Sequence, residues 1–205
     1  MKISPLFCRN CDTHVSIHGE RAFCECKSVD YLLTNNIYSS TDVKPKTDES
    51  IVRDRQSKGY LSHSKFPTQI GSFKKWLEKL PPPKSGEVAL DLGCGPGPYT
   101  TMLLDKGYSV IAIDFSVECL HINYTSCLDH KHKVSFFQED LNTLNLGKES
   151  VQLVVMADFL QHLGSRSKRE RLLNEVFSAL IPDGEFYLSF FNINVKNYLK
   201  GDIHG

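Results

Sequence analysis

The 205-residue chain has no surplus of either charge: 24 lysines and arginines stand against 24 aspartates and glutamates. That balance removes any global electrostatic pull toward nucleic acid or an anionic membrane and leaves only a local basic patch as a route to either. Long apolar runs are missing as well. Stretches such as Val151–Met156 are far too short to span a bilayer as a helix. The opening residues, MKISPLFCRNC, carry no apolar segment of the kind a secretory leader requires. No internal repeat is visible, which excludes solenoids and propellers. These absences point to a cytoplasmic chain without membrane contact. What is present is 40% hydrophobic and 23% charged residues, the balance of a globular domain with room for a small appendage. Seven cysteines are also present, and in a reducing compartment they read as thiols or metal ligands rather than disulfides.

Composition divides the chain into three parts. Residues 1–33 hold four of the seven cysteines, residues 34–65 are polar with little periodicity and read as a linker with a short helix around Glu49–Ser57, and residues 66–205 are regular. In the last part, Phe66, Ile70, Phe73, Leu77 and Leu80 recur at helical spacing, predicting a helix over Thr68–Leu80 that ends at Pro81. Val88–Leu92, Ser109–Ile113, Val134–Phe137, Val151–Met156 and Glu185–Phe191 read as strands. Between them, Tyr99–Lys106 reads as a helix stopped by Gly107, and Ser116 caps a second helix. Ser167 and Glu170 form a capping box before the face of Leu172, Leu173, Val176, Phe177 and Leu180, and Pro182-Asp183-Gly184 reads as a turn. Strands alternating with helices imply a mostly parallel α/β sheet with right-handed crossovers.

Such sheets bind ligands at the carboxyl ends of their strands, which singles out the first strand-to-helix turn in EVALDLGCGPGPYT. The spacing is not the dinucleotide fingerprint, because Pro98 stands where the third glycine is needed. Asp91 also argues against a pyrophosphate, since a carboxylate at about 4 Å would repel each phosphate charge by about 4 kcal/mol at an effective dielectric of about 20. The acid suits a phosphate-free ligand carrying positive charge, and the glycines let backbone approach it closely.

The run VALDLGCGPG resembles the first motif of class I S-adenosylmethionine-dependent methyltransferases, Asp/Glu-x-Gly-x-Gly-x-Gly, with Asp91, Gly93, Gly95 and Gly97 at its positions. Further resemblances follow in the family's order. Asp114, in VIAIDFS, stands where the family has the acid that accepts both ribose hydroxyls, and Phe115 where a neighbour packs on the adenine. Asp140, in FFQEDL, stands where an acid lies near the adenine amino group, with Leu141 beside it. VVMADFLQHL is similar to the fourth strand and the loop facing the transferred methyl, and ALIPDGEFYLSFFN to a Leu-x-Pro-Gly-Gly turn, with Asp183 in place of its first glycine. The resemblance covers roughly residues 66–192 and implies a Rossmann-like sheet with helices on both faces and S-adenosylmethionine as cofactor. It also implies Asp158 and His162 as the local candidates for a base, with Tyr60 and His63 closing over the cofactor. The family's sheet ends in an antiparallel hairpin that these five strands lack. Either the chain is part of a longer protein, or a partner chain completes the open edge.

The first part contains Cys8-x2-Cys11 and Cys24-x-Cys26. Two close pairs across a short hairpin can present four thiolates to a structural Zn²⁺, with His14 or His18 as substitutes. A zinc module ahead of such a domain resembles, in part, the N-terminal fingers of some ribosomal-RNA guanine methyltransferases. Cys94, Cys119 and Cys127 read as packing residues. Three functions remain open: a methyltransferase acting on an O, N or C atom of a small molecule, which the absence of a nucleic-acid footprint favours; an RNA or protein methyltransferase that docks through the zinc module; and a non-catalytic adaptor keeping the fold.

Overall fold

The computed structural model describes residues 2–40 and 67–190. In the first segment lie five short strands: β1 (Lys2–Cys8), β2 (Thr13–His18), β3 (Arg21–Phe23), β4 (Asp30–Thr34) and β5 (Ile37–Ser40). Helix α1 (Pro67–Lys79) opens the second segment. It is followed by β6 (Val88–Leu92), α2 (Pro98–Lys106), β7 (Ser109–Asp114), α3 (Val117–Ser126), β8 (Val134–Gln138), β9 (Val151–Ala157), α4 (Arg166–Ala179) and β10 (Leu180–Ser189).

All ten strands form one sheet in the order β1-β2-β3-β4-β5-β8-β7-β6-β9-β10. From β5 onward every pairing is parallel, as the βαβ pattern predicts, and β1–β5 form an antiparallel meander. The N-terminal part is therefore no isolated hairpin. Its last strand extends the parallel sheet through Tyr38 beside Phe137 and Ser39 beside Gln138. This strand lies within the stretch read as a linker; Ile37 and Tyr38 are buried there. The helix expected around Glu49–Ser57, together with Tyr60 and His63, lies outside the described residues.

Alternation along the strands sorts side chains onto two faces. On one face Ala89, Val110, Ala112, Leu153 and Val155 pack under Phe73 and Leu77 of α1, Leu103 and Leu104 of α2 and Leu120 of α3. On the other, Leu90, Leu92, Ile111, Ile113, Phe137, Val154 and Met156 meet Leu172, Val176 and Ala179 of α4. A parallel connection usually carries a helix, yet residues 139–150, between β8 and β9, form none. The N-terminal strands supply the missing cover: Leu6, Val15, Ala22, Tyr31 and Tyr38 join the same apolar cluster. Backbone bonds fasten them there. Phe7 N–H donates to Asn145 O at 3.0 Å and Gly147 N–H to Pro5 O at 2.9 Å. Arg9 pairs with Glu175 of α4, whose other oxygen accepts Leu146 N–H at 3.0 Å. The outer edge of β1 is thereby partly covered. Beyond β10 no strand pairs among the described residues.

Two local expectations shift. The cap of α4 is Ser165, which accepts Lys168 N–H at 3.2 Å, rather than Ser167, while Glu170 pairs with Arg166. The turn at Pro182-Asp183-Gly184 is an irregularity inside β10, between Leu180 and Glu185, with Asp183 in the left-handed region at φ 61°.

Candidate functional site

Strand order reverses at β6, whose neighbours are β7 and β9, so its carboxyl end is the topological switch point where open α/β sheets bind ligands. The glycine loop leaves this end. Gly93 N–H and Cys94 N–H donate to Ile113 O of β7 at 2.8 and 3.1 Å. At Gly93 a Cβ would lie 2.5 Å from the ring of Phe159, and at Gly97 it would lie 2.1 Å from Asn123 Oδ1. Both glycines also sit at positive φ, so a side chain is excluded by space and by backbone. Gly95 differs: a Cβ there would meet nothing within 4 Å, which marks the open side of the loop.

Asp114 binds the loop to the end of β7. One carboxylate oxygen accepts Gly95 N–H at 2.9 Å and the other accepts Ser116 N–H at 2.8 Å. The group is half-buried. Phe115 follows, also half-buried. Asp91 lies deeper than a residue at the loop's mouth: it is 1% exposed and accepts the Thr100 hydroxyl at 2.6 Å. Thr100 is held by Asn123 Nδ2 at 2.9 Å, and Asn123 Oδ1 accepts the Cys127 thiol at 3.3 Å. Burial pushes Asp91 up to about 7, with the charge of Asp114 adding to the effect and the Thr100 hydrogen bond opposing it.

Asp140, past β8, accepts the backbone and side-chain N–H groups of Asn142 at 2.8 and 2.9 Å. Leu141 turns inward and is 3% exposed, part of the core. Past β9, Asp158 adopts φ 54° and is half-buried. It accepts the Ser189 hydroxyl at 3.1 Å, and burial raises its pKa above the usual carboxylate range. His162 ends the short turn Leu160–His162, its ring 6.4 Å from that of Phe159. Strands β6, β7, β8 and β9 thus bring Gly93, Gly95, Gly97, Asp114, Asp140, Asp158 and His162 to one edge of the sheet. Sequence reasoning missed Phe159, which roofs Gly93, and the Thr100–Asn123 pair under Asp91. No motif marks them, because their partners are distant in sequence. Tyr99 was missed too: it is 8% exposed, and its hydroxyl has no hydrogen-bond partner among the described residues.

The N-terminal cysteines converge on that same edge. Antiparallel pairing sets the end of β1, the start of β2, the end of β3 and the start of β4 side by side, level with the carboxyl end of β8. The sulfurs of Cys8, Cys11, Cys24 and Cys26 all lie within 4.8 Å of one another. The Cys8–Cys26 and Cys24–Cys26 separations are 3.8 and 3.6 Å, close to the about 3.8 Å that a tetrahedron with about 2.3 Å Zn–S bonds requires. Burial pushes the Cys8 thiol up, but the Ser28 hydroxyl and the N–H groups of Cys11 and Asn10 outweigh it and bring it down to about 6. The Ser28 hydroxyl likewise lowers Cys26, whereas burial raises Cys24. The donor set therefore fits Zn²⁺. The group that lies within ligating distance comprises the four cysteines; His14 Nδ1 bonds Ser4 O at 3.1 Å, and His18 stacks on Phe23.

Residues 89–184 match the methyltransferase domain family. Among relatives, the ubiquinone biosynthesis O-methyltransferase of Idiomarina loihiensis is 24% identical over 140 residues, covering 68% of this chain and 55% of its own. The chain spans about half the length of the curated relatives it matches. Two solved structures share the fold. The PH0226 protein from Pyrococcus horikoshii OT3 aligns over 76% of this chain and 67% of its own, with TM-score 0.59 and 20% identity. A complex of DhpI with SAM and HEP aligns over 78% and 75%, with TM-score 0.56 and 22% identity. The fold is the Rossmann-like α/β fold expected from the sequence. No described helix is long and apolar enough to cross a membrane.

Proposed function

We propose that this chain binds S-adenosylmethionine at the β6–β7 edge and transfers its methyl group to an O, N or C atom of a small-molecule acceptor, in the cytoplasm. The observation that carries the proposal is Asp114, tied to Gly95 N–H beside the open side of the glycine loop. There a carboxylate at the end of β7, beside the first strand-to-helix turn, is placed to accept two vicinal ribose hydroxyls. Asp140 and Phe115 would hold the adenine, and Asp91 beneath the loop would supply negative charge for a cationic ligand when it is ionised. The family match and the DhpI complex with SAM support this reading.

The cofactor supplies an electrophilic methyl on a sulfonium. The protein's residues hold the geometry and keep water out. Phe159 closes over Gly93 from the β9 side. Asp158 and His162, on the same loop, stand ready to take a proton from an acceptor that must lose one. The raised pKa of Asp158 makes it a better base than an exposed aspartate. The four-cysteine cluster would hold one Zn²⁺ and fix the short β1–β2 and β3–β4 turns.

Incubation with methyl-labelled S-adenosylmethionine and size-fractionated cell extract tests the proposal. Label should move to the low-molecular-weight fraction, and Asp158→Asn should slow its transfer at least tenfold. Label confined to RNA or protein would replace the small-molecule acceptor, and no transfer with bound cofactor would support an adaptor.

A further inference from the structure

An unbroken line of contacts runs from the cysteine cluster to the acid assigned to the adenine. Cys24 N–H donates to Val29 O at 3.0 Å, and Val29 N–H returns a bond to Cys24 Sγ at 3.3 Å. Two residues later comes Tyr31, 4% exposed, with its ring edge-on to Phe137 of β8 at 5.2 Å. Its hydroxyl donates to Glu139 Oε2 at 2.7 Å. The other oxygen of Glu139 accepts Asp140 N–H at 3.0 Å. Strand β3, which leads into the second cysteine pair, has three residues. The distance along the sheet from β3 to β8 is three strand spacings, roughly 14 Å.

We propose that Zn²⁺ in the cysteine cluster and the adenine end of the cofactor are energetically coupled through Val29, Tyr31, Glu139 and Asp140. The inference rests on the zinc and cofactor readings above. Metal at Cys24 pins its sulfur, and with it Val29 and the start of β4. Tyr31 is then held where its hydroxyl meets Glu139, a charge-assisted bond that fixes the carboxylate and so the Asp140 backbone. Without metal, the β3–β4 turn is held by weaker contacts such as Val29 N–H to Cys24 Sγ at 3.3 Å. The Tyr31 hydroxyl withdraws, and Asp140 loses its fixed approach to the adenine. Tyr31 and Glu139 are positioning residues, neither touching the cofactor. Linkage makes the effect reciprocal: bound cofactor tightens zinc by the same factor.

Tyr31→Phe keeps the ring and removes only the hydroxyl. The variant should retain the wild-type zinc stoichiometry by metal analysis. Calorimetry should show affinity for S-adenosylhomocysteine and for adenosine each lowered about fivefold. In the wild type, S-adenosylhomocysteine should slow zinc loss to a chelator, and in the variant that protection should shrink. Wild-type affinity for both ligands in the variant, or undiminished protection of its zinc, would overturn the coupling. Purified protein without zinc, or without affinity for S-adenosylhomocysteine, overturns the reading beneath it and the coupling together. Both ligands bound with no mutual effect overturns the coupling alone.

Discussion

At Asp91, burial and function pull in opposite directions. The carboxyl is fully enclosed and titrates near 7 rather than in the ordinary range near 4. A folded-state pKa above the unfolded one means that the native protein binds the extra proton. The stability contributed is complete below about pH 4 and is lost as pH rises through about 7. Thermal melts of the ligand-free protein between pH 5 and pH 8 should therefore show a falling melting temperature. Asp91→Asn, which still accepts the Thr100 hydroxyl, should flatten the decline. Parallel declines in the two proteins would show that another group is responsible. The same enclosure was hidden in the sequence. The glycine spacing pointed to a carboxylate serving a positive ligand but not to Thr100, Asn123 and Cys127 stacked beneath it, because those contacts join residues on two helices and a strand.

Elements with strong apolar patterning were legible. Helix α2 ends at Gly107 at φ 115°, whose N–H donates to Leu103 O and Leu104 O, and Ser116 caps α3 by accepting Cys119 N–H at 3.2 Å. The start of α4 was not fixed by pattern. Ser165 and Ser167 both precede the apolar face, and the Ser-x-x-Glu spacing favours Ser167. Buried Leu163 and the bend after it start the helix two residues earlier, leaving Ser165 to satisfy the first turn. Ser165→Ala should cost about 1 kcal/mol in denaturant unfolding, and Ser167→Ala a few tenths at most. The opposite ranking would restore the cap read from sequence. Strand β5 escaped for another reason. It has only Ile37 and Tyr38 to bury; its hairpin with β4 across Asn35-Asn36 is local, but its second partner, β8, lies about a hundred residues away, and no local window holds that pairing.

For the whole molecule, the alternation of strands and helices gave the fold class and the edge proposed to bind the cofactor. It did not give the role of the first forty residues. The cysteine spacing suggested a small separate module. In the structure those residues continue the main sheet and cover the face that the helix-free β8–β9 connection leaves bare. Only long-range pairing, such as Leu6 with Leu146, reveals this. The arrangement places the cysteine cluster and the proposed cofactor site on one edge, so the N-terminal strands cover the core and flank that edge. The claim on which the account rests is that this edge receives a phosphate-free cationic nucleoside held by Asp114. Calorimetric titration of the wild type and Asp114→Ala with S-adenosylmethionine, and of the wild type with ATP and NAD, tests it most directly. The account predicts saturable S-adenosylmethionine binding, weakened at least tenfold in the variant, and no binding of ATP or NAD. Equal affinity in the two proteins, or a phosphate-bearing nucleotide bound in preference, would contradict it.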